Sequence, residues 1–216
     1  MKIVLLSETD SIINNLVMEL RNADIQNDQM RFTANIEKLG IILGYEASKY
    51  LSFSDYSFNT PYHDCHTQII KGNPVLYTIL RAGIALQRGV QNIFPSSSCA
   101  YIAAKHVHSE HPELKYIDAP QIDNQAVILS DPIIATGKNI SFARDSIKRC
   151  GNPSRIVILS VISSTPAIEY LSQILPEHTV FITCQVDSFT PGVRGTDPGV
   201  GDMGDLLYGK RVKIEY

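Results

Sequence analysis

The sequence predicts an α/β protein built on a doubly wound, mainly parallel sheet with a small hairpin region. Three observations carry that prediction. Short apolar runs rich in β-branched residues alternate with amphipathic stretches, the pattern of a parallel sheet covered on both faces. Two of those runs end in a charged residue, Arg81 and Asp131, and turn at once into a helical stretch. A third run ends in Lys105-His106. Ligands of open α/β sheets bind outside the carboxyl ends of the strands, so all three ends are expected on one edge.

The elements follow in order. Residues 3–6 read as a strand. Asp10 is placed to cap a first helix with Ile12, Ile13, Leu16, Val17 and Leu20 at helical spacing. Residues 31–51 form a second amphipathic helix with Ile36, Leu39, Ile42, Leu43, Ala47 and Tyr50 on one stripe. Residues 52–73 are polar and aromatic and read as a hairpin or loop with surface histidines. His63 and His66 lack a further ligand at metal-site spacing. Strand 75–80 leads through Arg81-Ala82-Gly83 into a helix carrying Ile84, Leu86, Val90 and Ile93. Strand 99–104 ends at Lys105 and His106. Residues 107–123, with Pro112 and Pro120, read as an excursion from the sheet, a mobile hairpin or loop of a length often used for lids.

Residues 127–140 are the chemically richest stretch. Val127-Ile128-Leu129 is a buried strand, and Pro132 after Asp131 ends its ladder. The tight loop Ala135-Thr136-Gly137-Lys138-Asn139 then enters a helix that Asn139 is placed to cap and Gly151 stops. A loop at a helix N-terminus offers unpaired N–H groups and a positive dipole end, which seats a phosphate. Lys138 adds charge, the Thr136 hydroxyl adds a donor, and Asp131 can accept from sugar hydroxyls. A nucleotide P-loop is excluded: Pro132 stands where its first glycine belongs, and Asn139 replaces its metal-binding Ser or Thr. Further on, residues 155–162 and 179–186 are strands, and Ser164-Thr165-Pro166 starts the helix between them. Residues 197–210 crowd four glycines with three aspartates and read as a loop of special backbone geometry.

Composition bounds the function. The 216 residues, 44% hydrophobic and 19% charged, suit one domain over 1–216 with a sizeable core. A net charge of -3 argues against a broad nucleic-acid footprint. Cys65, Cys99, Cys150 and Cys184 are scattered, as reduced thiols of a cytosolic protein are. The amino-terminal apolar run is too short for a signal segment, and no run reaches membrane-spanning length. The expectation is a soluble cytoplasmic protein.

These residues resemble a known family. The pattern apolar strand, D-P-x-x-A-T-G, helix is similar to the phosphoribosyl-diphosphate (PRPP) loop of the type I phosphoribosyltransferases. ILRAGIALQRGV, residues 79–90, resembles the I-L-R-A-G segment of the uracil phosphoribosyltransferase family. PGVGDMGDLLYGK, residues 198–210, resembles its closing P-G-L-G-D-A-G-D-R-x-F-G. Arg31-Phe32 with Leu43-Gly44-Tyr45-Glu46-Ala47 is similar to its first long helix. The three site motifs stand in family order over nearly the whole chain.

The resemblance implies transfer of 5-phosphoribose from PRPP to uracil, giving UMP and diphosphate. It implies that Asp131 holds the ribose hydroxyls. Pro132, Ile133, Ile134, Ala135, Thr136, Gly137, Lys138 and Asn139 form the PRPP loop. Arg81 would bind diphosphate from a loop that in this fold class often contains a non-proline cis peptide. Lys105 or His106 falls near a second family arginine, and Asp202 would contact PRPP. Backbone groups at Thr196, Gly201, Asp202 and Met203 would read the base. Magnesium would be held mainly by PRPP. Members form dimers or larger homo-oligomers, and some respond to GTP. The family's T-G-G-[ST] is here Thr136-Gly137-Lys138-Asn139, and residues 188–197 with Leu206 depart from the family around the base pocket. The alternatives are a phosphoribosyltransferase for another base and a non-catalytic regulator of the same fold that binds RNA or protein.

Overall fold

The computed structural model describes residues 1–105, 113–189 and 195–210, with the side chains of 104–115 outside that description. Strand β1 (Lys2–Leu5) precedes helix α1 (Ile12–Arg21), which is capped by Ser11 rather than by Asp10. The Asp10 carboxylate instead accepts from Asn14 Nδ2 at 2.8 Å. Helix α2 (Gln29–Ser48) starts at Asp28, whose side chain accepts from Arg31 N. Strands β2 (Phe53–Asn59) and β3 (Asp64–Ile70) form a separate antiparallel hairpin, as the polar-aromatic stretch predicts. Then follow β4 (Val75–Ile79), α3 (Gly83–Ile93), β5 (Cys99–Lys105) and β6 (Glu113–Asp118). The second half of the chain comprises β7 (Ala126–Ser130), β8 (Ile133–Ile134), α4 (Lys138–Arg149), β9 (Arg155–Ser164), α5 (Thr165–Ile174), β10 (Val180–Asp187) and α6 (Met203–Tyr208).

Among the described residues the main sheet runs β1-β10-β9-β7-β4-β5-β6, with β8 added beside β9. Every pairing in it is parallel except β5 with β6. Successive side chains alternate between two cores, as the period of a strand demands. Leu76, Val157 and Leu159 face α1, α2 and α3, while Val75, Tyr77, Ile156 and Ile158 face α4 and α5. Helices α2 and α3 meet backbone to backbone. A Cβ on Gly89 would run into the carbonyl oxygen of Glu37, and one on Gly40 into that of Leu86. Within the expected excursion, residues 113–118 return to the sheet as an edge strand antiparallel to β5, the pairing of a hairpin, and 107–112 lie outside the description.

Candidate active site

Strands β4 and β7 are parallel neighbours, with Thr78 opposite Ser130. Arg81 and Asp131 therefore leave the sheet on the same carboxyl edge, as the sequence predicts. Gly83 lets α3 begin against this corner. A Cβ there would run into the Thr78 hydroxyl and stand 3.0 Å from the Ser130 carbonyl oxygen. The Leu80–Arg81 peptide is cis.

Asp131 is 8% exposed, and its amide donates to Leu159 O at 3.1 Å. Burial pushes its carboxyl up to about 7, while the Ile133 backbone N–H favours the ionised form. Pro132 does not end the ladder with β9. Its carbonyl accepts from Val161 N at 3.1 Å and Ile162 N at 3.0 Å, and pairing resumes through Ile133 and Ile134. The loop after β8 is held from below by Ser164. Its hydroxyl donates to Ala135 O at 2.6 Å and accepts from Ala167 N at 3.1 Å, so one side chain caps α5 and anchors the loop.

Gly137 turns the chain into α4 with φ 73°, a conformation that favours glycine. A Cβ there would stand 2.9 Å from Tyr170 Cδ1 and 3.0 Å from Leu171 Cγ, so the loop packs directly on α5. Thr136 and Lys138 are exposed at the helix start, where a cation and the helix dipole act together. Asn139 does not cap α4. The helix starts two residues earlier than such a cap would place it, at Lys138, and the N-cap is Gly137 with no side-chain cap. Asn139 Oδ1 lies in the first turn, buried and without a hydrogen-bond partner among the described residues.

The closing segment reaches the same corner. Residues 197–210 are not loop throughout, because Met203–Tyr208 is a helix capped by Asp202, which accepts from Asp205 N at 3.1 Å. The expected special geometry is confined to Gly199, Gly201 and Gly209, all at positive φ, and to a cis Asp197–Pro198 peptide. Arg81 Nη2 donates to Asp205 Oδ1 at 3.0 Å and to the carbonyls of Gly204 and Gly209 at 3.3 Å. Thus Gly201 and Asp202 stand immediately before, and Met203 opens, a helix docked on Arg81. Thr196 is buried, and its hydroxyl lacks a partner among the described residues.

Four contributors escaped the sequence reading. Asp205 and Ser164 are two. The others are Arg21 and Asp187, which form a two-point ion pair at 2.7 and 3.0 Å at the root of the closing segment. An acid ending an apolar strand was the available signal for Asp187, as it was for Asp131. Lys105 ends β5, the strand beside β4, but its side chain and all of His106 lie outside the described residues. Among the described residues no group of three or more His, Cys, Asp or Glu side chains could hold a metal ion. No helix among them is long and apolar enough to cross a membrane.

Parallel strands that deliver an acid, a glycine-turned helix start and an arginine to one edge define the class: a type I phosphoribosyltransferase fold. Within that class the family model for uracil phosphoribosyltransferase matches residues 7–210, and the chain belongs to that family. A Porphyromonas gingivalis protein named uracil phosphoribosyltransferase is 33% identical over 216 residues, covering 98% of this chain and all of its own. One of the same name from Thermococcus sibiricus is 31% identical, covering 92% of this chain and 87% of its own. The solved structure of the AQ2163 protein from Aquifex aeolicus shares the fold, with TM-score 0.85 at 21% identity over 98% of this chain and 100% of that one.

Proposed function

We propose that the protein transfers the 5-phosphoribosyl group of PRPP to uracil, giving UMP and diphosphate for pyrimidine salvage. The observation that carries this reading is the convergence of Asp131, the Gly137 loop and Arg81 on one sheet edge, with the closing segment docked beside them. The relatives' name supports uracil as the base. Asp131 accepts from the ribose hydroxyls. The loop amides, the Thr136 hydroxyl and Lys138 hold the 5′-phosphate. Arg81, with Lys105 or His106, receives the diphosphate, and Asp202 meets PRPP. Backbone groups at Thr196, Gly201, Asp202 and Met203 read the base.

No protein nucleophile is required. The bond from ribosyl C1 to diphosphate breaks, the bond to uracil N1 forms as the N1 proton passes to solvent, and the site supplies orientation and charge. Magnesium is part of the proposal as a partner of PRPP. The single carboxylates of Asp131 and Asp202 fit a cation that takes most of its oxygens from substrate phosphates and water. When bound, it neutralises charge on the departing diphosphate.

Homo-oligomeric assembly belongs to the same proposal. The β2–β3 hairpin exposes Phe53, Tyr56, Phe58 and Tyr62, and a two-stranded hairpin is marginal alone, which supports contact with a second copy. GTP as effector and a cytoplasmic setting complete it, the latter supported by four unpaired cysteines.

Calorimetric titration with magnesium–PRPP, followed by uracil, tests the reading, together with diphosphate release across a panel of bases. PRPP should bind alone, and uracil should bind well only afterwards. Absence of PRPP binding overturns the reading. PRPP binding without uracil turnover moves it to another base or to a regulator.

A further inference from the structure

We propose that Asp205 is a positioning residue that couples the diphosphate end of the site to the base end by competing for Arg81. The proposal rests on the phosphoribosyl transfer inferred above and adds a residue to it. One nitrogen of Arg81, Nη2, donates to Asp205 Oδ1 at 3.0 Å and to the carbonyls of Gly204 and Gly209 at 3.3 Å. The ring of Tyr208 lies under the guanidinium, 6.0 Å from ring centroid to Cζ. All four groups belong to α6 or its C-cap.

A phosphate engages arginine best through two parallel N–H groups. Both two-point edges of a guanidinium, Nε with Nη2 and Nη1 with Nη2, include the nitrogen that α6 occupies. Nη2 has two hydrogens and already faces three acceptors. The Nε beside it is buried and has no hydrogen-bond partner among the described residues. A diphosphate that takes either edge must draw Nη2 away from Asp205.

That exchange is felt at the base end. Asp205 N donates to the Asp202 carboxylate at 3.1 Å, and Gly201 and Asp202 lead directly into α6, whose first residue is Met203. Release of Arg81 therefore frees the helix whose first turn fixes those residues. Linkage is reciprocal, so anything that loosens Arg81 from α6 favours PRPP and weakens the dependence of base binding on PRPP.

Three proteins test this: wild type, Asp205→Asn and Asp205→Glu, each titrated with magnesium–PRPP and with uracil in the presence and absence of PRPP. The Arg81 and Asp205 side chains are each about one-third exposed. An ion pair of that exposure limits the effect to about fivefold. Asp205→Asn should bind PRPP up to about fivefold more tightly, with a smaller gain in uracil affinity on adding PRPP. Asp205→Glu should restore the wild-type ratio. Unchanged or weaker PRPP binding by Asp205→Asn overturns the role of Asp205 alone. Failure of the wild type to bind PRPP overturns the transferase reading, and this proposal with it. Amide exchange in the wild type needs no variant. Magnesium–PRPP should speed exchange over residues 203–209, and slower or unchanged exchange there overturns the release of α6.

Discussion

Burial pushes the Asp131 carboxyl from 3.8 up to about 7, so the folded protein holds its proton through a range where the unfolded chain has lost it. The sign follows from proton counting. Between about pH 4 and pH 7 the folded state binds more protons, so stability falls as pH rises through that window and levels off above it. At about 1.4 kcal/mol per pH unit the loss is on the order of 4 kcal/mol if no other group compensates. On the proposed reading, sugar hydroxyls that donate to the carboxylate offset the cost of its desolvated charge. Asp131→Asn should therefore match the wild type near pH 4 and exceed it in urea stability above pH 7. The same variant should lose roughly 2–4 kcal/mol in kcat/KM for PRPP, because an amide accepts hydroxyl protons less strongly than a carboxylate. Wild-type stability that does not change between pH 4 and pH 7 would remove the basis for this expectation.

At the scale of elements, the loop over 135–139, the proposed phosphate seat, is built by a helix it does not belong to. Ser164 ties Ala135 O to the start of α5, and Gly137 rests on Tyr170 and Leu171 of that helix. Ser164→Ala removes a helix cap and leaves a loop carbonyl without its donor, for an expected loss of roughly 2–3 kcal/mol. The PRPP KM should rise with it, whereas a loss confined to stability would make Ser164 only a cap. The main strands and helices were legible in the sequence because apolar periodicity is local, and Arg81 and Asp131 were legible because each closes an apolar strand. Three features were not legible. Strand β6 lies at the sheet edge with Tyr116 exposed, so its apolar signal is weak. Helix α6 was hidden by glycine density, although Asp202 ahead of it is an ordinary N-cap. The Gly40–Gly89 crossing joins residues whose nearness depends on how two helices pack, and glycine inside a helical pattern does not announce a partner.

Across the whole molecule, the proposed base end of the site is assembled from residues far apart in sequence. Arg21 ends α1, Asp187 ends β10, and Gly199 begins the closing segment. Arg21 forks onto Asp187 and also donates to Gly199 O at 3.3 Å, while Gly199 N donates to Asp187 Oδ2 at 2.9 Å. Ser188 and Asp197 exchange both backbone hydrogen bonds just beyond this knot, at 3.0 and 2.9 Å. The closing segment is thus pinned at its root by Arg21 and Asp187 and at its far end by Arg81. The Asp187 side chain is 3% exposed, so Arg21→Leu strands a nearly buried carboxylate and should cost about 3 kcal/mol or more. Replacing both partners by Leu should recover part of that loss, since no charge then remains buried, though Gly199 N loses its acceptor. Function should divide along the same line. Arg21→Leu displaces Gly199 and the backbone that follows it, so KM for uracil should rise several-fold, while the Kd for magnesium–PRPP should rise less, because on the proposed reading only Asp202 of that stretch meets PRPP. Equal losses toward both substrates would mean that the knot supports the fold as a whole and does not set the base pocket.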